Sequence, residues 1–179
     1  MRSLSDSEQN SNSIKLLALD VDGTLTDGKI YMGNDGEAMK AFCVKDGFAI
    51  GEMLPKHDIT PIIITGRQSK IVANRARELG IELVFQGVRD KPALLGKIAA
   101  EQGLSFAEIA YVGDDLRDYA AMKLCGFKAC PADAAAEIRE LCDYVSPFNG
   151  GNGAVRDICE IILKRIGKYN VFLGLFGVS

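Results

Sequence analysis

Short, nearly continuous apolar runs alternate with longer segments of helical period along most of this chain. Ile14-Lys15-Leu16-Leu17-Ala18-Leu19, Ile62-Ile63-Ile64 and Ile109-Ala110-Tyr111-Val112 are the clearest runs. Runs of this length read as strands buried on both faces of a parallel sheet. Glu82 to Phe85, Phe127 to Ala129 and Tyr144-Val145 read as further short strands. Between them the pattern predicts helices over Asp46–Leu54, Ser69–Leu79, Asp90–Gln102, Leu116–Leu124, Ala134–Cys142 and Ala154–Ile166. Gly80 and Gly126 stop two of these, Pro92 lies in the first turn of another, and Asp46 is placed as a cap. Asn34-Asp35-Gly36, between two short mixed runs, predicts a β-hairpin. Strand–helix alternation of this kind predicts a doubly wound α/β domain with right-handed crossovers.

Composition narrows the function without naming it. The 179 residues suit one domain with a single core. We divide them into a polar, disordered tail at 1–12, a domain at 13–167 and an oddly apolar tail at 168–179. Exposed, that last segment would be a liability, so it is expected to pack on a neighbouring surface or subunit. A net charge of −3 leaves no electrostatic footprint for nucleic acid. No stretch is apolar for long enough to span a bilayer, and the start lacks the apolar segment of a signal peptide. The expectation is a cytoplasmic protein with neither nucleic acid nor membrane as partner. Cys43, Cys125, Cys130, Cys142 and Cys159 form no Cys-x-x-Cys pair, which argues against zinc and against a disulfide framework. The single histidine, His57, sits in a polar stretch and reads as a loop residue. Any chemistry must therefore run on carboxylates.

Carboxylates are what the strand ends carry. The first run stops at Asp20-Val21-Asp22-Gly23-Thr24, and the Ile109 run stops at Gly113-Asp114-Asp115-Leu116-Arg117-Asp118. Ligands of open parallel sheets bind beyond the carboxyl ends of the strands. If these two strands are neighbours, their acids converge, repel each other and call for a cation. An all-oxygen set suits Mg²⁺ better than zinc. Asp20 is the candidate nucleophile, able to form an aspartyl-phosphate. Asp22, beyond a tight turn at Gly23, is the candidate general acid and base. Asp114 is the candidate metal ligand, with Asp20 and the backbone carbonyl of Asp22. Asp115 and Asp118 would orient metal waters or the loop, though either could simply oppose a helix dipole. Thr65 and the Gly66 N–H offer donors to a phosphoryl oxygen at a helix start, and Lys91 adds a full positive charge.

In chain order the set is Asp-x-Asp-Gly-Thr, Thr-Gly-Arg, Lys and Gly-Asp-Asp-x-x-Asp, spanning Ile14 to Asp118. It resembles the haloacid dehalogenase-like phosphohydrolases. The resemblance implies a Rossmann-like sheet and fixes roles: Asp20 as nucleophile, Asp22 as acid and base, Thr65 and Lys91 on the phosphoryl group, Asp114 on Mg²⁺. Only about forty residues separate Asp22 from Thr65, so no cap domain fits. Tyr31-Met32-Gly33-Asn34, Val44-Lys45-Asp46-Gly47, Phe85-Gln86-Gly87 and Gly150-Gly151-Asn152-Gly153 are similar to the capless, tetrameric branch that hydrolyses 3-deoxy-D-manno-octulosonate 8-phosphate, a precursor of lipopolysaccharide.

That likeness implies a homotetramer in which the hairpin serves as lid or contact. It also implies that Cys43 to Gly47, with Lys45, Asp46 and Gly47, line a sugar pocket. Arg67 and Arg75 would pair with the anionic substrate, one of them across a subunit boundary; judged alone, Arg75 is as well read as a solvated helix residue. Phosphatases of nine-carbon sialic-acid-type sugars are the competing enzymes, and Arg67 stands where they tend to carry Glu. A receiver domain is a different class, but its acidic pair precedes the phospho-accepting Asp, the reverse of the order here. A non-catalytic oligomerisation module would not need all the motif residues present.

Overall fold

Leu16–Leu19 form β1, and its side chains divide between two cores. Leu17 and Leu19 enter one, Leu16 and Ala18 the other, as the two-residue period of a strand requires. The structure, a computed structural model, describes residues 14–178. The tail expected at 1–12 lies outside the described residues.

The remaining strands are β2 (Tyr31–Gly33), β3 (Gly36–Met39), β4 (Thr60–Ile64), β5 (Leu83–Phe85), β6 (Ile109–Val112), β7 (Phe127–Cys130) and β8 (Tyr144–Val145). Six of them form a parallel sheet in the order β5-β4-β1-β6-β7-β8. β2 and β3 stand apart as an antiparallel hairpin, with Gly33 opposite Gly36 across the Asn34-Asp35 turn. The helices are α1 (Val44–Phe48), α2 (Lys70–Glu78), α3 (Lys91–Gln102), α4 (Leu116–Met122), α5 (Ala136–Leu141), α6 (Ala154–Arg165) and α7 (Tyr169–Gly174). Residues of α2 and α6 join Leu17, Leu19 and Ile63 on one face. Residues of α3, α4 and α5 join Leu16, Ala18, Ile62 and Ile64 on the other. This is the doubly wound architecture, with a small hairpin.

Two local readings need revising. The helix expected from Asp46 starts two residues earlier, as α1, and continues as a π-helical turn over Ala49–Met53. Asp46 is not its cap. Its carboxylate is buried and accepts the N–H of Gly153 at 3.2 Å and of Arg156 at 2.8 Å, across the sequence at the start of α6. The reason is that Gly153, at the α6 N-cap, has no side chain to satisfy those donors. The segment set apart as a tail at 168–179 contains α7. Its Phe172 is buried in the first core, edge-on to Phe48 at 6.1 Å.

Asp46 thus fastens α6 to α1. Burial raises its pKa, and the Arg156 and Gly153 N–H groups pull against that rise. Asp46→Ala should leave two buried donors unmet and cost about 2 kcal/mol. Urea unfolding checks this. An unchanged midpoint with a raised KM would instead return Asp46 to the sugar pocket.

Candidate active site

The strand order changes direction at β1, which lies between β4 and β6. All three strands end in polar loops on the same side, at the switch point where doubly wound sheets bind ligands. The Asp20 N–H donates to the Val112 carbonyl at 3.0 Å, which fixes the end of β1 against β6. The Thr65 N–H donates to the Phe85 carbonyl at 2.9 Å, which fixes the end of β4 against β5. α3 begins at Lys91 and delivers its side chain between the strand ends.

Lys91 is the centre of the cluster. Its buried ammonium donates to Asp20 Oδ1 at 2.7 Å and to Asp118 Oδ1 at 2.6 Å. The Tyr111 hydroxyl donates to the same Asp118 oxygen at 2.9 Å, and the Thr24 hydroxyl to Asp114 Oδ1 at 3.3 Å. One oxygen each of Asp20, Asp114 and Asp118 lie within 4.8 Å of one another. Two glycines make room for this. A Cβ at Gly23, where φ is +94°, would stand 2.0 Å from Asp114 Oδ2, and one at Gly113 would stand 2.5 Å from Asp118 Cγ.

Such crowding moves proton affinities. Burial first, then the negative Asp118, raise the Asp20 carboxyl, while Lys91 opposes the rise. Burial, then Asp20 and Asp118, raise Asp114 as well. Burial alone would lower the Lys91 ammonium, but the two carboxylates outweigh it and raise it. With all three acids ionised, one lysine leaves two negative charges uncompensated. The donors are hard oxygens gathered at one point, so the residues fit a divalent cation such as Mg²⁺.

Asp22 faces a different set of partners. It is half-buried, pairs with Lys40, and lies 3.7 Å from Arg67 Nε. The Lys40 side chain is buried and also pairs with Glu37 at 2.9 Å. Glu37 accepts from the Ser69 hydroxyl, which in turn accepts the Val72 N–H and caps α2. Through these links the hairpin is tied across the site mouth to α2.

The structure therefore gathers Asp20, Asp22, Thr65, Gly66, Arg67, Lys91, Asp114 and Asp118 at one end of the sheet. Asp118 belongs in the cluster itself, in direct contact with Lys91, and not merely beside it. Asp115 is exposed and caps α4 through the Leu116 N–H at 2.7 Å. Lys45 is exposed on α1. Asp46, Gly47 and Arg75 surround a void of only about 10 Å³, scarcely room for a water. Arg75 lies over the Phe42 ring at 5.8 Å and pairs with Glu78 at 2.9 Å. No hydrogen bond or ion pair among the described residues joins Lys45, Asp46, Gly47 or Arg75 to the carboxylate cluster. The sequence reading missed Lys40, Glu37, Thr24 and Tyr111. An Asp-rich motif followed by Thr could have flagged Thr24; nothing local marks the others.

No family model matches the chain. The 3-deoxy-D-manno-octulosonate 8-phosphate phosphatase KdsC of Escherichia coli strain K12 is 43% identical over 158 residues, 88% of this chain and 84% of that protein. The crystal structure of the phosphatase of that name from Moraxella catarrhalis, in complex with magnesium, phosphate and KDO, is 40% identical with a TM-score of 0.88. It covers 96% of this chain and 99% of that one. A cobalt-bound deoxy-D-mannose-octulosonate 8-phosphate phosphatase from Haemophilus influenzae is 38% identical with a TM-score of 0.85, over 92% and 95% of the two chains. The site's acids, lysine and strand-end threonine stand on a fold shared with these enzymes over nearly its whole length. The chain belongs to the haloacid dehalogenase-like 3-deoxy-D-manno-octulosonate 8-phosphate phosphatase family.

Proposed function

We propose that this chain hydrolyses 3-deoxy-D-manno-octulosonate 8-phosphate to the free sugar acid and inorganic phosphate, in the synthesis of a lipopolysaccharide precursor. The observation that carries this reading is the meeting of Asp20, Asp114 and Asp118 around Lys91, in a chain 43% identical to a KdsC phosphatase.

The chain's own residues divide the work. Lys91 holds Oδ1 of Asp20, which leaves Oδ2 to attack phosphorus. As that bond forms, the ester P–O bond breaks and Asp22 gives its proton to the departing sugar oxygen. Water then attacks the aspartyl-phosphate, Asp22 takes its proton, and the bond to Asp20 breaks. The Thr65 hydroxyl, the Gly66 N–H and Lys91 donate to phosphoryl oxygens. These donors are fixed before substrate arrives, which is the economical way to stabilise developing charge. Asp20, Asp114 and the Asp22 carbonyl would hold Mg²⁺, with Asp118 beside them. When bound, the ion neutralises carboxylate and phosphoryl charge so that one anion can approach another.

We further propose a cytoplasmic homotetramer. Five unpaired thiols suit a reducing compartment, and no helix among the described residues is long and apolar enough to cross a membrane. The hairpin exposes Met32 and Met39, and Ile30 just before it, which a partner surface would cover. Each neighbour would then roof a site that has no cap of its own.

Asp20→Asn should abolish turnover with the fold intact. In a phosphate-release panel the parent should prefer the eight-carbon sugar phosphate over nine-carbon 9-phosphates; a reversed preference would reassign the substrate. Protons compete with the cation for Asp20 and Asp114, whose proton affinity is raised. Ionising them therefore costs the metal-free fold stability as pH rises above the ordinary carboxylate range, and Mg²⁺ relieves that cost. The Mg²⁺-induced rise in Tm should grow between about pH 5 and about pH 8. A rise independent of pH would place the ion elsewhere. Replacing 28–41 by a Gly-Ser linker should yield smaller species by light scattering, and raise KM for the sugar phosphate more than for an aryl phosphate. A fully active monomeric parent would defeat the assembly.

A further inference from the structure

Beside the carboxylate cluster, and sharing Lys91 with it, lies an open cavity of about 820 Å³. Gly66, Gln68, Arg89, Lys91 and Arg117 line it. Its one buried cation, Lys91, is already shared between Asp20 and Asp118. The other two are not committed: no carboxylate among the described residues ion-pairs with Arg89 or Arg117. Arg117 comes from the first turn of α4, directly behind the acidic Asp114-Asp115 pair, yet it ion-pairs with neither. A Cβ built on Gly66 would stand 3.3 Å from Arg117 Nη1, so the guanidinium rests against the loop whose N–H faces the phosphoryl group. That loop is fixed from below, because the Val88 N–H donates to the Thr65 carbonyl at 3.0 Å and the Gly87 N–H to the Arg67 carbonyl at 3.1 Å.

We propose that Arg117 and Arg89 form an outer phosphate site next to the inner cradle of Thr65, Gly66 and Lys91. Its ligand is a phosphate dianion, either the group on an arriving ester or the inorganic phosphate on its way out. A guanidinium fork suits this ligand because it can donate two parallel hydrogen bonds to neighbouring oxygens. The cavity is large enough for a hydrated phosphate, and its two free cations offset the acids behind them. Lys40 and Arg67 lie against Asp22, whereas Arg89 and Arg117 share their cavity with Lys91 and Gly66.

The inference rests on the phosphomonoesterase reading, so the test includes a measurement that needs no turnover. Inorganic phosphate is titrated calorimetrically into the full-length, Mg²⁺-loaded protein, the parent beside Arg117→Met, Arg117→Lys and the Arg89→Met/Arg117→Met double variant. Affinity should fall about tenfold in Arg117→Met and further in the double variant, with partial rescue by lysine. Product inhibition should weaken by the same factor. If the site captures the arriving ester, kcat/KM falls alike for the sugar phosphate and an aryl phosphate; if it detains the product, kcat rises. Both outcomes support a phosphate site and tell its two sources apart. Unchanged phosphate affinity in a double variant of parental Tm overturns the proposal. So does a loss of kcat/KM confined to the sugar phosphate, which would mean that the arginines read the sugar's carboxylate. Tight phosphate binding without turnover of the sugar phosphate would count against the substrate assignment alone.

Discussion

One buried ammonium, that of Lys91, holds the site together. It lies within 2.7 Å of Asp20 and 2.6 Å of Asp118, two acids that would otherwise repel each other across the end of the sheet. An isolated buried lysine would tend to lose its proton, and a buried carboxylate pair would tend to keep one. Set together they stabilise each other's charged forms, but incompletely, since Asp114 stands within reach of both acids and, among the described residues, has only the Thr24 hydroxyl as side-chain donor. The cluster is thus short of positive charge by construction. That shortage makes it a cation site, and the same shortage keeps Asp20 from being neutralised by the protein alone. A site fully satisfied from within would fold more readily and do nothing.

The fold supplies what the cluster needs in three ways. The strand order reverses at β1, so the ends of β1, β4 and β6 converge without any long loop. Gly23 and Gly113 leave space where side chains would collide with Asp114 and Asp118. Tyr111, fully buried on β6, directs its hydroxyl at Asp118 and fixes which oxygen faces the lysine. Around this floor the mouth is built from the hairpin and the loop before α2. Lys40 and Glu37 come from the hairpin, Arg67 and Ser69 from the loop before α2, and they meet through ion pairs over Asp22. Asp22 is therefore held by the same element that exposes the apolar Met32 and Met39.

Much of this could be read from the chain. The parallel strands were visible because burial on both faces leaves no charged residue inside Leu16–Leu19 or Ile109–Val112. Asp20, Thr65, Lys91 and Asp114 were visible because each follows a strand within two residues or opens a helix, so local pattern fixes their place. Lys40 was not, because its role depends on a hairpin folding back over a residue eighteen positions earlier. Asp46 was misread for a related reason. An Asp ahead of an apolar run looks like that run's cap, whereas the donors it satisfies belong to α6, more than a hundred residues on. Arg117 follows an acidic pair at a strand end and reads as a surface helix residue until Gly66 is found beneath it.

The central claim is that Lys91 leaves one oxygen of Asp20 free to take up the phosphoryl group. Acid-quenching a single turnover of the sugar phosphate and locating the phosphoryl group by peptide mass spectrometry tests it most directly. The account predicts phosphate on Asp20, in the peptide from Leu16 to Lys29, only when Mg²⁺ is present. Phosphate on another residue, or rapid turnover with no phosphorylated peptide at any quench time, would contradict it.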